Sequence, residues 1–203
     1  QPLTSMRTNV ELLLADQKTG MLPEQARGEI LTDIAAQLGE FSSLIGDLVQ
    51  LSREDAPPPR PEIMDLADVV ARAVQRAKRR GPTMVFDVQT ESQLVLGDSQ
   101  AIERSVTNLL DNAVKFSPSG GRITVRMADE TITVADEGPG ISDEDLPHIF
   151  DRFYRSDQSR NTPGTGLGLS IVAHTVNSHG GWIKASRAPG GGAPVSYTHL
   201  TLP

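Results

Sequence analysis

The 203-residue sequence contains no cysteine, only four histidines, and few aromatics: five Phe, two Tyr and one Trp. Without cysteine there is no disulfide framework and no thiolate metal site, and the scattered His148, His174, His179 and His199 do not make a structural zinc centre. A basic excess is missing too. Lys and Arg total 19 against 26 Asp and Glu, a net charge of −7, the wrong sign for a phosphate-backbone partner, so no nucleic-acid partner is expected. No apolar run approaches bilayer-spanning length, and the N-terminus has no charged-then-apolar leader pattern. A soluble chain is expected, and the lack of cysteine suits a cytoplasmic setting. The length allows one or two domains, each with its own core.

Proline is concentrated in one place, Ala56-Pro57-Pro58-Pro59-Arg60-Pro61, which cannot continue a helix and reads as a semi-rigid linker. This divides the chain into residues 1–55, a linker over 56–61, and 62–203. The first part is the more acidic, with 4 basic and 9 acidic residues against 15 and 17 in the rest. In it Leu3, Met6, Val10 and Leu13, and after a break at Gly20 to Pro23, Ile30, Ile34, Leu38, Phe41, Ile45 and Leu48 recur at helical spacing. This is an antiparallel helical hairpin too small to bury its seam alone. Pairing with a second copy into a four-helix bundle is expected, ahead of packing onto the C-terminal domain.

Beyond the linker the pattern predicts helices over 66–80, 99–116 and 167–179, the second capped by Asp98 or Ser99. Strands are predicted over 84–89, 94–96, 122–127, 131–135, 182–185 and 195–202. The fold class is α+β, a helical hairpin followed by an α/β sandwich. Arg76-Ala77-Lys78-Arg79-Arg80, the one dense basic run, reads as a solvated helix end rather than an anion site.

Three segments carry chemistry. Asn108, Asn112 and Lys115 lie four and three residues apart, so they leave one face of the predicted helix. Asn amide oxygens suit Mg²⁺ and a Lys ammonium suits phosphate, although such residues also simply solvate an amphipathic helix. Asp136 ends a strand and opens Asp136-Glu137-Gly138-Pro139-Gly140. Its carboxylate can accept from an exocyclic amine such as that of adenine, and the glycines let backbone approach a flat base; an ordinary turn is the plain alternative. Gly164-Thr165-Gly166-Leu167-Gly168-Leu169 precedes a helix whose free N–H groups favour an anion. It is neither a P-loop nor a Rossmann fingerprint.

The order and spacing of these segments resemble the ATP-binding catalytic domain of bacterial sensor histidine kinases, in the superfamily that includes gyrase and MutL. Asn108 to Phe116 resembles the N-box, Asp136 to Gly140 the G1 box, Ile149-Phe150-Asp151-Arg152-Phe153-Tyr154-Arg155 the F-box, and Gly164 to Leu169 the G2 box. The resemblance implies a Bergerat-type ATP fold and an ATP lid at about 155–165. It also implies Mg²⁺ on Asn112, phosphate contacts from Asn108 and Lys115, Phe116 lining the pocket, and Asp136 on the adenine amine. It extends the ATP-binding set to Gly138, Gly140, Ile141, Phe153, Tyr154, Arg155, Gly164, Thr165, Gly166, Leu167, Gly168 and Leu169.

Where gyrase-like relatives carry a Glu that activates water, this sequence has Asn108, which cannot accept a proton at neutral pH, so hydrolysis to water is disfavoured. Pro2-Leu3-Thr4-Ser5-Met6 resembles the end of the family's H-box, H-E-x-x-x-P-L. The phosphoacceptor His and its acidic neighbour would fall upstream of Gln1, so this chain is expected not to phosphorylate itself. Gln1 also stands where the family often has a Thr or Asn implicated in phosphatase action, a departure that counts against that activity. Residues 194–203 alternate only loosely, although Leu202-Pro203 would suit the family's closing strand, and whether they are native is left open by the sequence.

The resemblance implies the cytoplasmic kinase core of a bacterial inner-membrane sensor, attached to the membrane only through upstream segments. Such a core acts as a homodimer and passes phosphate to an Asp on a response-regulator receiver domain. The alternatives are a nucleotide-binding regulatory module without phosphotransfer and a purely structural helical dimer.

Overall fold

The computed structural model describes residues 2–52, 61–129, 131–159, 162, 164–186 and 195–198. The chain divides into two compact units with the main boundary between Glu54 and Asp55. The linker prolines Pro57 to Pro59 and the Leu202-Pro203 end of the expected last strand lie outside the described residues. Among the described residues no helix is long and apolar enough to cross a membrane.

The first unit is the hairpin of α1 (Pro2–Thr19) and α2 (Glu24–Ser52). Gly20 at φ +64° ends α1, in a region where a side chain would be strained, and its N–H reaches the Asp16 carbonyl at 2.6 Å. The turn is then fastened by the Asp16 carboxylate. It accepts from the Leu22 N–H at 2.6 Å and from Arg27 Nη2 at 2.5 Å. The Leu22 N–H first, and the Arg27 guanidinium after it, hold the Asp16 carboxyl below the usual carboxylate range.

The single expected seam is really two stripes. Met6, Leu13, Ile30, Ile34 and Phe41 are half-buried inside the hairpin, whereas Val10, Leu14, Leu31, Leu38 and Ile45 are exposed. Leu31, Leu38 and Ile45 are spaced by sevens, a second seam that a lone hairpin leaves in water.

The second unit begins with β1 (Glu62–Asp65), which pairs antiparallel with β3 (Leu94–Gly97). The main sheet has the order β2-β4-β5-β7-β6, from β2 (Val85–Thr90), β4 (Arg122–Ala128), β5 (Thr131–Ala135), β7 (Val195–Thr198) and β6 (Trp182–Ala185). Only β2 and β4 are parallel, so the strand and helix alternation in sequence does not yield a parallel sheet.

Helices α3 (Leu66–Arg80), α4 (Ser99–Phe116) and α5 (Gly168–Ser178) bury Val70, Ala73, Leu110, Val172 and Val176 in one core with Ile123, Val125, Ile132 and Val134 of the sheet. Burying one such side chain is worth about 1.5–3 kcal/mol. Asp65 caps α3 by accepting from Ala67 N–H at 2.9 Å and ties it to the β3 approach through Gln93 N–H at 3.1 Å. The basic run on α3 is not purely solvated. Arg72 and Arg76 share Glu103 of α4, at 2.7 and 3.2 Å, and Arg80 pairs with Asp111. These exposed ion pairs set α3 along α4 more than they stabilise it.

Candidate functional site

Helix α4 supplies the central face. Asp98 caps it, accepting from Gln100 N–H at 2.9 Å and Ala101 N–H at 3.0 Å, and Ile102, Val106, Leu109, Leu110 and Ala113 hold it to the core. With that side buried, Asn108, Asn112 and Lys115 fall together on a half-buried face. Lys115 Nζ lies 4.8 Å from the centroid of the Phe116 ring.

Asn108 reaches across to the G2 segment, its Nδ2 donating to the Gly168 carbonyl at 3.3 Å. That bond sets the first turn of α5 against α4. The α5 cap residue, Leu167, is fully buried and makes no side-chain cap bond, so the first N–H groups of α5 are not capped by its own cap residue. Leu169 packs against the hydrophobic core. Of the G2 segment, then, Leu167 and Leu169 anchor, Gly166 at φ +74° shapes the backbone, and Gly168 offers its carbonyl to Asn108.

Asp136 joins the same neighbourhood from the end of β5. Its Oδ1 accepts from the Gly138 N–H at 2.7 Å, an Asx turn at the strand end. A Cβ on Gly138 would sit 2.7 Å from that oxygen and 2.8 Å from the Phe116 carbonyl oxygen. Gly138 therefore lets the backbone at the end of α4 pack beside the Asp136 carboxylate. Gly140, at φ +80°, turns the chain onward to half-buried Ile141.

The F-box stretch runs past the other side of the G2 segment. Phe153 N–H donates to the Gly166 carbonyl at 3.0 Å, and a Cβ on Gly166 would meet the Phe153 carbonyl carbon and the Tyr154 oxygen, each at 2.8 Å. Phe153 itself has φ +65° and is 60% exposed, an uncommon backbone for an aromatic residue. Arg155 Nη2 donates to the Ser159 carbonyl within the 3₁₀ turn Asp157–Ser159. Gly164 and Thr165 lie in the loop leading to Gly166; Arg160, Asn161 and Pro163 of the expected lid are outside the described residues.

A network absent from the sequence reading braces this stretch. The Asp145 carboxylate accepts from Ser142 Oγ and from Tyr154 Oη, each at 2.6 Å, while Asp145 N–H returns to Ser142 Oγ at 3.1 Å. The Ser142 hydroxyl first, then the Tyr154 hydroxyl, hold the Asp145 carboxyl below its usual range. Ser142-Asp143-Glu144-Asp145 has the S-x-x-D spacing of a capping box, the signal that could have revealed the Ser142–Asp145 pair.

Among the described residues no three His, Asp or Glu side chains converge to hold a metal unaided. A half-buried amide such as that of Asn112 suits instead a hard cation that takes most of its oxygens from phosphates and water.

Residues 97–203 match the family of histidine kinase-, DNA gyrase B-, and HSP90-like ATPases. Across its whole length the chain is 48% identical to a signal transduction histidine-protein kinase/phosphatase, MprB, of Mycolicibacterium smegmatis. The chain belongs to the sensor histidine kinase family. The MprB of Mycobacterium leprae is 42% identical over the whole chain. The chain spans 43% of the first relative's length and 40% of the second's.

Among solved structures, a mycobacterial sensor histidine kinase MprB matches 67% of this chain and 95% of its own, at 37% identity and a TM-score of 0.63. The Acinetobacter baumannii histidine kinase AdeS covers all of this chain and 96% of its own at TM-score 0.68, and at 23% identity shows the shared fold alone. Residues 97–203 thus form the ATP-binding domain of a sensor histidine kinase.

Proposed function

We propose that this chain is the kinase core of a sensor histidine kinase that binds Mg-ATP on the α4 face and directs its γ-phosphoryl group to a histidine rather than to water. The observation that carries this is the bond from Asn108 to the Gly168 carbonyl, which joins the N-box face to the G2 turn, while the Asp136–Gly138 turn packs against Phe116 at the end of the same helix. On this reading Asp136 takes the adenine amine and Phe116, Ile141 and the Gly138-Gly140 backbone line the base. Asn108 and Lys115 meet phosphate, with the N–H groups around Gly166 to Leu169, and Tyr154 and Arg155 support the lid base over 155–165. Asn112 would hold Mg²⁺, which when bound supplies charge neutralisation at the phosphates.

Asn108 also bears on the acceptor. Its amide carries no basic oxygen able to take a proton from water at neutral pH, so its role is to hold the G2 turn and to orient phosphate. Transfer to a positioned protein nucleophile needs alignment above all, and that is what a rigid α4 face provides.

The hairpin, residues 1–55 ahead of the linker at 56–61, is the dimerisation part on this reading. The exposed sevenfold seam of Leu31, Leu38 and Ile45, with Val10 and Leu14, is the surface a second copy would cover. The acceptor histidine belongs to an H-box ending at Pro2-Leu3, the onward acceptor is an aspartate of a response-regulator receiver domain, and the setting is the cytoplasmic side of a membrane sensor. The relatives named kinase/phosphatase carry both activities in their name, and removal of the phosphoryl group from the receiver aspartate by water, releasing inorganic phosphate, would use the same hairpin.

The test is calorimetric titration with a non-hydrolysable ATP analogue and Mg²⁺ on the chain and on Asn112→Ala and Asp136→Ala. Micromolar binding that both substitutions weaken supports the site. A folded wild-type chain that binds no nucleotide overturns it.

A further inference from the structure

His179 stands where two helices meet, and both of its ring nitrogens are engaged. Nδ1 lies 2.7 Å from the Thr175 carbonyl oxygen of α5 and 3.3 Å from Ser178 Oγ, whose own proton goes to the Thr175 carbonyl at 2.8 Å, and Nε2 lies 3.0 Å from the backbone nitrogen of Asp98, the residue that caps α4. A carbonyl oxygen only accepts and a backbone N–H only donates. The ring must therefore carry its proton on Nδ1 and present a lone pair at Nε2, the neutral Nδ1–H tautomer. The ring is packed flat enough on β3 that a Cβ on Gly97 would come within 2.9 Å of His179 Cδ2 and 3.1 Å of Nε2.

This contact pairs with another. Asn108, in the second half of α4, bonds Gly168 in the first turn of α5, whereas His179, at the end of α5, bonds Asp98 at the start of α4. The two helices are antiparallel, with α5 fastened at both of its ends to α4, at the α4 cap and at Asn108 in its middle, and the face with Asn108, Asn112 and Lys115 lies along α4. The Asp98 N–H is also one of the α4 groups that helix hydrogen bonding leaves without a partner.

We propose that His179 is a positioning residue for the nucleotide site, acting in its Nδ1–H tautomer as the pin that fixes the start of α4 against the end of α5. The coupling to nucleotide rests on the ATP-site reading above; the pin itself does not. A group that can donate toward Thr175 and accept from Asp98 at once is required, and the glutamine side chain, with its NH₂ and carbonyl oxygen, meets that requirement where phenylalanine does not.

Two-bond proton–nitrogen spectra of the imidazoles in the chain, with His179 assigned by its loss in His179→Gln, test the tautomer directly. The expected pattern is a proton on Nδ1; a proton on Nε2 or a charged ring at neutral pH overturns the proposal. Hydrogen exchange at the Asp98 amide is expected to be slow in the wild type and in His179→Gln and fast in His179→Phe, and equal rates in all three also overturn it.

For the coupling, the affinity for a non-hydrolysable ATP analogue with Mg²⁺ should fall about five-fold in His179→Phe, the lower end for coupled sites, and be restored by His179→Gln. Undiminished affinity in His179→Phe sinks the positioning role. If His179→Phe does not fold, Gly97→Ala, which displaces the ring from outside, takes its place in both comparisons. A wild type that binds no nucleotide would fail the ATP-site reading, and the tautomer and the Asp98 exchange would still decide the pin.

Discussion

The Asp136 carboxylate and the Phe116 carbonyl both crowd Gly138, so closely that a single methyl group there would lie 2.7 Å from one oxygen and 2.8 Å from the other. The end of α4 and the end of β5 thus meet with no room for a side chain between them. Gly138→Ala should force the two segments apart, costing about 1–3 kcal/mol as an overpacking substitution and removing nucleotide affinity. A thermal melt and a nucleotide titration on the variant check this, and an unchanged melting temperature would contradict it.

Asn108 joins two roles that substitution can separate. Asn108→Ala removes the bond to Gly168 and, with it, the amide proposed to face phosphate, so stability should fall by about 1 kcal/mol and ATP affinity at least ten-fold. Asn108→Asp removes the donor and adds a negative charge, so its affinity for ATP should fall further than that of the alanine variant while its fold survives. Parallel titrations and denaturant melts read the difference.

Asp145 gives a pH dependence of definite sign. Its carboxyl is held below the usual range by Ser142 and Tyr154, so its folded pKa lies below its unfolded one. The stabilisation is fully present above the unfolded value, about 3.9, and is lost as the pH falls through the folded value. The melting temperature of wild type should therefore exceed that of Asp145→Asn by a constant margin from neutrality to about pH 5 and converge on it below about pH 4. A margin that persists in strong acid would show that the Ser142–Asp145–Tyr154 cluster needs no charge.

The exposed stripe on α2 predicts an assembly. Leu31→Glu with Leu38→Glu places two charges on the outward seam while leaving Ile30, Ile34 and Phe41 inside the hairpin. Sedimentation should show the wild-type chain as a dimer and the variant as a monomer whose nucleotide affinity is retained. A wild type that stays monomeric at high concentration counts against the four-helix bundle.

Helix α4 was legible to the residue because three signals agree there: the Asp98 cap, an unbroken apolar period from Ile102 to Ala113, and Pro118 beyond Ser117. The G1 and G2 turns were legible as glycine patterns, but the reason for their glycines was not. Gly138 and Gly166 are fixed by the backbone of Phe116, Phe153 and Tyr154, which no local pattern announces. Strand β1 was missed because Glu62-Ile63-Met64-Asp65 is too short to alternate and follows directly on prolines; its partner 32 positions later gives it its conformation. The hairpin seam was read as one stripe because Leu38 and Ile45 share the helical period with Ile34 and Phe41, and only the partner helix divides them. His179 reads as the tail of a helix, since the two partners that fix its ring, the Thr175 carbonyl and the Asp98 N–H, are four and 81 residues away.

Strand β7, the last described strand in chain order, is not at the rim of its sheet. It lies between β5 and β6, pairing with one edge of β5 and with β6. During synthesis the ribosome therefore delivers β6 before β7, the strand it pairs with among the described residues, and the β5 edge, with Ile132 and Val134 along it, waits unpaired through the following helix and turn. The nascent domain closes like an arch on its keystone, in one late step of high contact order. Until residues 195–198 emerge, an open strand edge is on offer to any other extended chain.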